Sequence, residues 1–168
     1  MKVPEGVSFE VSPGALKATG PKGTVERLFD SKLVSVALAN GEVEVKAAVR
    51  ERKSVHAAVN SVKAHILNMF NGVTKGFEKK LTVVYAHFPV TVEVKGSQVH
   101  VKNFLGEKSV RKAEVLSGVK VVVAKQDIAV SGADRDAVGQ TAANIIRATV
   151  ITKRDRRIFQ DGIYEVVA

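Results

Sequence analysis

The chain of 168 residues is 45% hydrophobic and 26% charged, with no cysteine, no tryptophan and a formal net charge of +9 at pH 7. This composition is typical of a globular protein of one or two domains, and the absence of cysteine excludes disulfides and thiolate metal sites. No apolar run approaches the length of a transmembrane helix, and the first residues lack the apolar core of a secretion signal, so we expect a cytosolic protein with no membrane partner.

The first elements predicted along the chain are two β-hairpins. Apolar and polar residues alternate in VSFEV (7–11) and in LKATG (16–20) on either side of a short turn, as they do in a hairpin. A second alternating stretch, 31–47, contains the dipeptide Asn40-Gly41. This dipeptide is typical of a type I′ turn, in which both central residues need a positive φ.

A helix is predicted next, over about residues 52–71. Apolar residues recur there at intervals of four and three, which places them in one stripe of an α-helix. The stripe consists of Val55, Val59, Val62, Ile66 and Met69. Gly72 follows at a position where a helix commonly ends.

The same order of elements returns in the second half of the chain. Residues 116–132 match 31–47 at an offset of 85, and the pair 90–94 and 99–103 matches the first hairpin at an offset of 83. A second helix is predicted from Asp134 or Asp136 to about residue 150, with Val138, Ala142, Ile145 and Thr149 in its apolar stripe. Residues 81–88 supply an extra strand at the junction of the two halves.

We therefore predict an α+β protein of two tandem similar domains that arose by internal duplication. Each domain is expected to be a mainly antiparallel sheet with one helix packed on a face. The first repeat is expected over 1–80, and the second, with a C-terminal basic arm, over 81–168. The predicted core residues are Val36, Leu38, Val59 and Val62 in the first domain and Val121, Val123, Ala142 and Ile145 in the second.

Motifs for catalysis are missing from the sequence. No phosphate-binding loop, dinucleotide fingerprint, zinc-protease helix motif or nucleophile elbow occurs. Among the histidines, His56 and His65 lie on opposite faces of the predicted helix and cannot hold one metal together. We therefore expect a protein that is not an enzyme and has no metal or cofactor.

Positive charge is shared by both halves of the chain, with a net charge of +5 in 1–80 and +4 in 81–168. This distribution favours an anionic partner that meets both halves, such as nucleic acid. The alternative is a soluble basic protein without an anionic partner. Four basic clusters are candidate sites: Arg50, Arg52 and Lys53; Lys75, Lys79 and Lys80; Lys108, Arg111 and Lys112; and Lys153, Arg154, Arg156 and Arg157. For each cluster the alternative is an ordinary solvated face.

The last cluster is the most specific of the four. Four Lys or Arg residues lie within five positions, and arginine, which dominates there, suits bidentate phosphate contacts. Apolar residues follow at Ile158, Phe159, Ile163 and Tyr164, with a turn signal at Asp161-Gly162. We interpret this stretch as an anchored basic arm that lies against a polyanion.

Three stretches of the sequence carry a resemblance to a known family. They are VPEGVSFEV (3–11) with LKATGPKGTVERLF (16–29), HAAVNSVKAHILNMFNGVTKGFEKKLTVVYAHFP (56–89) and RRIFQDGIYE (156–165). The last stretch matches the pattern Arg-x-Phe-x-Asp-Gly-aliphatic-Tyr at Arg157, Phe159, Asp161, Gly162, Ile163 and Tyr164. With these features the chain resembles the ribosomal large-subunit protein number six family, in its archaeal and eukaryotic branch.

The resemblance implies a structural constituent of the large ribosomal subunit in the cytoplasm. Its partners would be the large-subunit rRNA and neighbouring ribosomal proteins, near the region beside the sarcin–ricin loop where translational GTPases dock. The matched tail implies rRNA contacts at Phe159, Gln160, Asp161, Gly162 and Tyr164, beside those of the basic clusters. One departure is Glu165, where the family often has an aliphatic residue, together with the end at Ala168 instead of a basic residue. The last contacts are therefore expected to be weaker or different. The alternative function is a free-standing tandem α+β module that binds nucleic acid or protein.

Overall fold

The computed structural model describes residues 1–39, 41–49, 52–86, 88–152, 154–155 and 157–166. The chain forms two compact units, Met1–Gly76 and Phe77–Ala168. Neither of the helices in the described ranges is long and apolar enough to cross a lipid bilayer.

The first unit contains two antiparallel sheets and one helix. Its three-stranded sheet consists of β1 (Ser8–Ser12), β2 (Ala15–Gly20) and β3 (Gly23–Leu28), in that order. A hairpin follows, made of β4 (Val34–Ala39) and β5 (Glu42–Ala47), and then the helix α1 (Lys53–Thr74). The buried stripe of α1 contains all five apolar residues predicted for it, so its facing is confirmed.

The second unit repeats this plan with two additional strands. Its elements are β6 (Phe77–Val84), β7 (Thr91–Lys95), β8 (Gln98–Lys102), β9 (Arg111–Glu114), β10 (Val119–Ala124), β11 (Asp127–Gly132), α2 (Arg135–Ala148) and β12 (Gly162–Glu165). Strands β7, β8 and β9 form one antiparallel sheet, and a second antiparallel sheet has the order β10-β11-β6-β12. Asp134 caps α2, because its carboxylate accepts a hydrogen bond from the backbone N–H of Asp136.

The register of the strands confirms the internal duplication. In the first unit Val34 pairs with Ala47, and in the second Val119 pairs with Gly132, which preserves the offset of 85 on both strands. The hairpins β1–β2 and β7–β8 likewise share a register at the offset of 83. The fold is therefore two tandem α+β domains with mainly antiparallel sheets, as predicted.

The strand β6 has a short counterpart in the first unit. In the second unit β6 pairs with β11, and the N–H of Val83 donates to the carbonyl oxygen of Gln126 over 2.8 Å. In the first unit the segment 1–3 runs along β5 in the same way: the N–H of Val3 donates to Gly41 over 3.0 Å and the N–H of Val43 to Met1 over 2.7 Å. The extra strand of the junction thus begins at Phe77 and has a counterpart at the start of the chain.

The end of α1 differs from the prediction. The helix continues past Gly72, which is buried, and ends at Thr74. The residue that allows the chain to turn away is Gly76, which has φ +80° and donates its N–H to the carbonyl oxygen of Asn71. A glycine in the left-handed region is a common helix terminator, and here it lies four positions after the predicted one.

The predicted cores are confirmed on the helices and partly wrong on the strands. Val59, Val62, Ala142 and Ile145 are buried, whereas Val36, Val121 and Val123 are half-buried. Leu38 is 46% exposed, so its prediction as a core residue is wrong. The reason is its place near the tip of β4, the outer strand of a hairpin, while its cross-strand partner Val43 is covered by the N-terminal segment. The Asn40 half of the predicted turn lies outside the described residues; Gly41 has φ +75°.

Candidate nucleic-acid interface

The basic stretch near the end of the chain is a loop that leaves the second unit and returns to it. We call residues 152–160 the basic loop; Lys153 and Arg156 lie outside the described residues. Ile151 is buried just before the loop, and Ile163 is buried just after it. The backbone N–H of Ile163 donates to Oγ1 of the buried Thr149 over 3.0 Å, and this hydrogen bond joins the two ends. The stretch is therefore held at both of its ends.

A turn centred on Asp155 shapes the inside of the basic loop. The carboxylate of Asp155 accepts a hydrogen bond from the N–H of Arg157 over 2.9 Å. Its carbonyl oxygen accepts from the N–H groups of Ile158, over 3.2 Å, and Phe159, over 2.9 Å. This short aspartate side chain bonds the backbone two residues on, as in an Asx turn. An acidic residue in the middle of a basic stretch thus serves to fold that stretch.

The arginines of the loop that the structure describes are exposed. The guanidinium of Arg154 lies over the ring of Phe159, with Cζ 4.8 Å from the ring centre, as in a cation–π contact. Phe159 is half-buried and packs against the core of the second unit, so its ring lies between Arg154 and that core. Arg157 is exposed on the following turn. The loop therefore presents guanidinium groups on a fixed backbone.

The motif residues that follow the arginines build the base of the loop. The hydroxyl of Tyr164 donates to the carbonyl oxygen of Gln160 over 3.0 Å, and Nε2 of Gln160 lies 3.4 Å from the carbonyl oxygen of Arg157. The ring of Tyr164 covers Gly162, where an added Cβ would come within 3.2 Å of it. Asp161 is buried, and its Oδ1 accepts the N–H of Ala86 over 3.2 Å. Of these residues, Gln160 and Tyr164 are exposed, Tyr164 with 48% of its surface.

The lysines of the junction do not form one cluster within a single unit. Lys75 belongs to the first unit, where it is exposed directly after α1. Lys79 and Lys80 are neighbours on β6, so their side chains point to opposite faces of the sheet. Lys79 forms an ion pair of 2.7 Å with Glu165, the residue that departs from the family pattern. Lys80 is exposed on the other face.

Lys80 and Tyr164 share the face of the four-stranded sheet that α2 leaves open. Tyr164 pairs with Thr82 across β12 and β6, and Lys80 is two residues from Thr82 along β6. Two residues along a strand return to the same face at a separation of about 7 Å. Lys120 and Val122 alternate with the core-facing residues of β10, and both are exposed. The open face thus combines cations with exposed apolar and aromatic surface.

The cluster of Lys108, Arg111 and Lys112 divides into exposed lysines and a half-buried arginine. Nε and Nη2 of Arg111 donate to the two carboxylate oxygens of Glu107 over 2.9 and 2.7 Å. Its Nη1 donates to the carbonyl oxygens of Ala148 and Val150 over 3.0 and 3.2 Å. Its Cζ lies 4.5 Å from the centre of the Phe104 ring. Lys108 and Lys112 are exposed and available to an anion.

The pair of Glu107 and Arg111 has shifted protonation equilibria. The hydrogen bonds from Arg111 hold the pKa of Glu107 below its ordinary value, and the positive charges of Arg111 and Arg154 act in the same direction. The hydrogen bonds to Glu107 raise the pKa of Arg111. Both groups are therefore charged at neutral pH.

The remaining cluster lies at the start of α1. Arg52 is the residue before the helix and Lys53 its first residue; both are exposed, and Arg50 lies outside the described residues. The sequence pattern placed Thr149 in the apolar stripe of the second helix but gave no sign of its hydrogen bond to Ile163. Glu107 was not predicted as a site residue. For Glu107, the spacing of four residues to Arg111 was visible, but that spacing has a meaning only within a helix.

Comparison with known proteins gives consistent similarity along the whole chain. The family model described as Ribosomal protein L6 matches residues 3–76 and 88–162. The chain is 48% identical to the large ribosomal subunit protein uL6 of Ignicoccus hospitalis, over 96% of this chain and 89% of that protein. It is 47% identical to the uL6 protein of Methanosarcina mazei, over 99% and 94%. For the uL6 protein of Sulfurisphaera tokodaii the identity is 42%, over 98% and 88%.

Proposed function

The chain belongs to the ribosomal protein L6 family, and we propose from this membership that it is a structural constituent of the large ribosomal subunit that binds the large-subunit rRNA. The observation that carries the RNA-binding part is the basic loop, which is fixed at both ends and presents arginines to solvent. The second of the two family repeats, folded as an α+β unit, is the scaffold that carries this loop.

The basic loop suits a phosphate backbone for two physical reasons. Arginine presents a planar set of donors that matches phosphate oxygens, and phosphate contacts dominate the affinity of proteins for nucleic acids. A loop whose ends are hydrogen-bonded and whose Arg154 rests on Phe159 loses little conformational freedom on binding. We therefore assign phosphate contacts to Arg154 and Arg157. Lys153 and Arg156 are included in the proposal because their charges belong to the same stretch.

Additional contacts are proposed for exposed residues outside the loop. Lys80 on the open sheet face and Tyr164 beside it offer a cation together with an aromatic ring on which a base can stack. Lys108 and Lys112 are exposed cations of the second unit, and Lys75 is an exposed cation of the first. Lys79 contributes less to this surface, because its ion pair with Glu165 offsets its charge.

Family membership also supports a location within the subunit. We propose that the protein lies near the docking region of translational GTPases, beside the sarcin–ricin loop, with other ribosomal proteins as neighbours in the cytoplasmic ribosome. In this role the protein shapes and supports RNA, and we propose no catalytic activity for it.

Two experiments test the proposal. Nuclease footprinting of large-subunit rRNA with the purified protein is expected to give protected positions that depend on the basic loop. Co-sedimentation with large subunits in high salt is expected to retain the protein. A protein that washes off completely and protects no rRNA would instead be the free-standing interaction module.

A further inference from the structure

Arg111 has an environment unlike that of the exposed cations around it. All three guanidinium nitrogens donate hydrogen bonds inside the second unit: two to Glu107, and the third to the backbone carbonyls of Ala148 and Val150. One face of the group rests on the buried ring of Phe104. A phosphate ligand needs donors directed into solvent, and four of the five N–H donors of Arg111 are directed at groups of the protein.

The two carbonyls that Arg111 binds lie just before the basic loop. Ala148 is the last residue of α2, and carbonyl groups at the end of a helix lack partners within the helix. Between them lies Thr149, whose hydroxyl accepts the N–H of Ile163 and so closes the loop. The guanidinium therefore fixes the chain on both sides of the residue that joins the two ends of the loop.

Glu107 holds Arg111 in this position from the opposite side. Its two carboxylate oxygens bind Nε and Nη2, which leaves Nη1 to reach the carbonyls of Ala148 and Val150. Building on the proposed rRNA binding, we propose that Arg111 is a positioning residue that orients the basic loop for RNA, with Glu107 as the carboxylate that locks it. Arg111 would then act on RNA only through the loop.

The competing interpretation is that Arg111 contacts phosphate, as the charge cluster suggests. The two interpretations predict opposite changes in RNA affinity for the same substitution. If Arg111 binds phosphate, Glu107→Ala frees the guanidinium and removes a negative charge, and RNA binding becomes tighter. If Arg111 positions the loop, the same change releases the lock and weakens binding by about three- to tenfold, since loose side chains must be ordered again on binding. Glu107→Ala makes the net charge of the protein more positive, so electrostatics alone would not explain weaker binding to RNA.

The experiment compares full-length variants on a large-subunit rRNA fragment across a range of salt concentrations. Glu107→Ala, Arg111→Gln and Arg111→Lys are expected to weaken binding while the slope of log affinity against log salt stays that of the parent. Lysine keeps the charge but cannot bridge a carboxylate and two carbonyls, so it is not expected to restore affinity. Glu114→Ala is the matched control, because it removes an exposed carboxylate from the same unit and is expected to leave binding unchanged or slightly tighter.

Amide hydrogen exchange in the absence of RNA gives a second readout on the same proteins. Exchange in residues 151–160 is expected to accelerate in Glu107→Ala and Arg111→Gln and to stay unchanged in Glu114→Ala. If Glu107→Ala unfolds, the milder Glu107→Gln replaces it. Binding is measured well below the lowest melting temperature among the variants.

Three results would overturn the inference: tighter or equal binding by Glu107→Ala, parental binding by Arg111→Lys, or a slope flattened by about 0.7–0.9 in Arg111→Gln. A parent that fails to bind rRNA in a salt-dependent way would contradict the proposed function instead, and the exchange data would still test the lock.

Discussion

Gly20 lies against the last turn of α1, where its missing side chain leaves room for the backbone of Val73. A Cβ at this position would come 2.8 Å from the carbonyl oxygen of Val73 and 3.0 Å from its Cβ. The same carbonyl oxygen accepts the N–H of Lys22 over 3.0 Å, so neither the strand turn nor the helix end can shift freely. One glycine thus determines how closely the β2–β3 turn packs on the helix.

Gly20→Ala is therefore expected to lower the free energy of unfolding of the first unit by about 1–3 kcal/mol, as overpacking typically does. Gly139→Ala is the matched control, since nothing lies within 4 Å of the added Cβ in α2. There the substitution is expected to stabilise the helix by about 0.5–1 kcal/mol, because alanine loses less entropy than glycine. Urea unfolding of both variants measures the two effects, and equal midpoints would contradict the packing argument.

The carboxyl group of Glu107 makes stability depend on pH. Because its pKa in the folded protein is lowered by the hydrogen bonds from Arg111, its contribution is fully present above the unfolded-state pKa of about 4.3. The contribution is lost as the pH falls through the lower folded-state value. Glu107→Gln is expected to lose less unfolding free energy than the parent on acidification from about pH 5 to pH 3, by no more than about 1 kcal/mol after solvent screening.

Thermal melts of the two proteins at several pH values check this expectation. Glu114→Gln serves as the control and is expected to follow the parent closely. If the melting temperatures of Glu107→Gln and the parent changed in parallel with pH, the pair with Arg111 would add nothing to the pH dependence of stability.

Single residues also show where reasoning from sequence stopped. The alternation of β4 correctly placed Leu38 on the same face as Val34, but alternation carries no information on which part of that face is covered. In the same way, charge spacing grouped Arg111 with Lys108 and Lys112. Its actual partners, the carbonyls of Ala148 and Val150, are 37 and 39 residues away along the chain. Local patterns predict direction well, whereas depth and distant partners depend on tertiary packing.

At the scale of elements, the strand β12 holds the end of the basic loop in place. Hairpin registers and both helices followed from periodicity, because each depends on neighbours within a few residues. The closure of the loop depends on a hydrogen bond between Thr149 and Ile163 and on the pairing of β12 with β6. These contacts join parts of the sequence with no visible relation, so an anchored arm was predicted where a closed loop exists. The charge of the loop was predictable, and its shape was not.

The double variant Arg154→Ala, Arg157→Ala tests the loop as an element. If both residues contact phosphate, the slope of log affinity against log salt is expected to flatten by about 1.4–1.8, since each neutralised phosphate contributes about 0.7–0.9. The control is Lys32→Ala, Lys46→Ala, which removes the same charge from exposed sites of the first unit. A titration of rRNA fragment binding against salt measures both, and identical slopes for the two double variants would assign the loop to the solvated surface.

At the scale of the whole molecule, each duplicated unit has its own buried residues. Ile66 is fully buried in the first unit, and Ile145 is fully buried in the second. Truncating a buried isoleucine to alanine typically costs about 2–5 kcal/mol. We expect Ile66→Ala to lower the exchange protection of β2 and α1 and leave that of β8 and α2 unchanged, with the reverse pattern for Ile145→Ala. Native-state amide exchange on the full chain checks this, and loss of protection throughout the molecule in either variant would indicate a single cooperative unit.

The pairing of β6 with both β11 and β12 has a consequence for synthesis. Ribosomes deliver a chain from its N-terminus, so β6 emerges well before β12, and one edge of its sheet waits unpaired in the interval. An unpaired strand edge can pair with other chains, so the nascent protein is exposed to aggregation during this interval. The arrival of β12 covers the edge and shapes the basic loop in the same event. A nascent chain therefore reaches the conformation proposed to bind rRNA only after β12 has paired with β6.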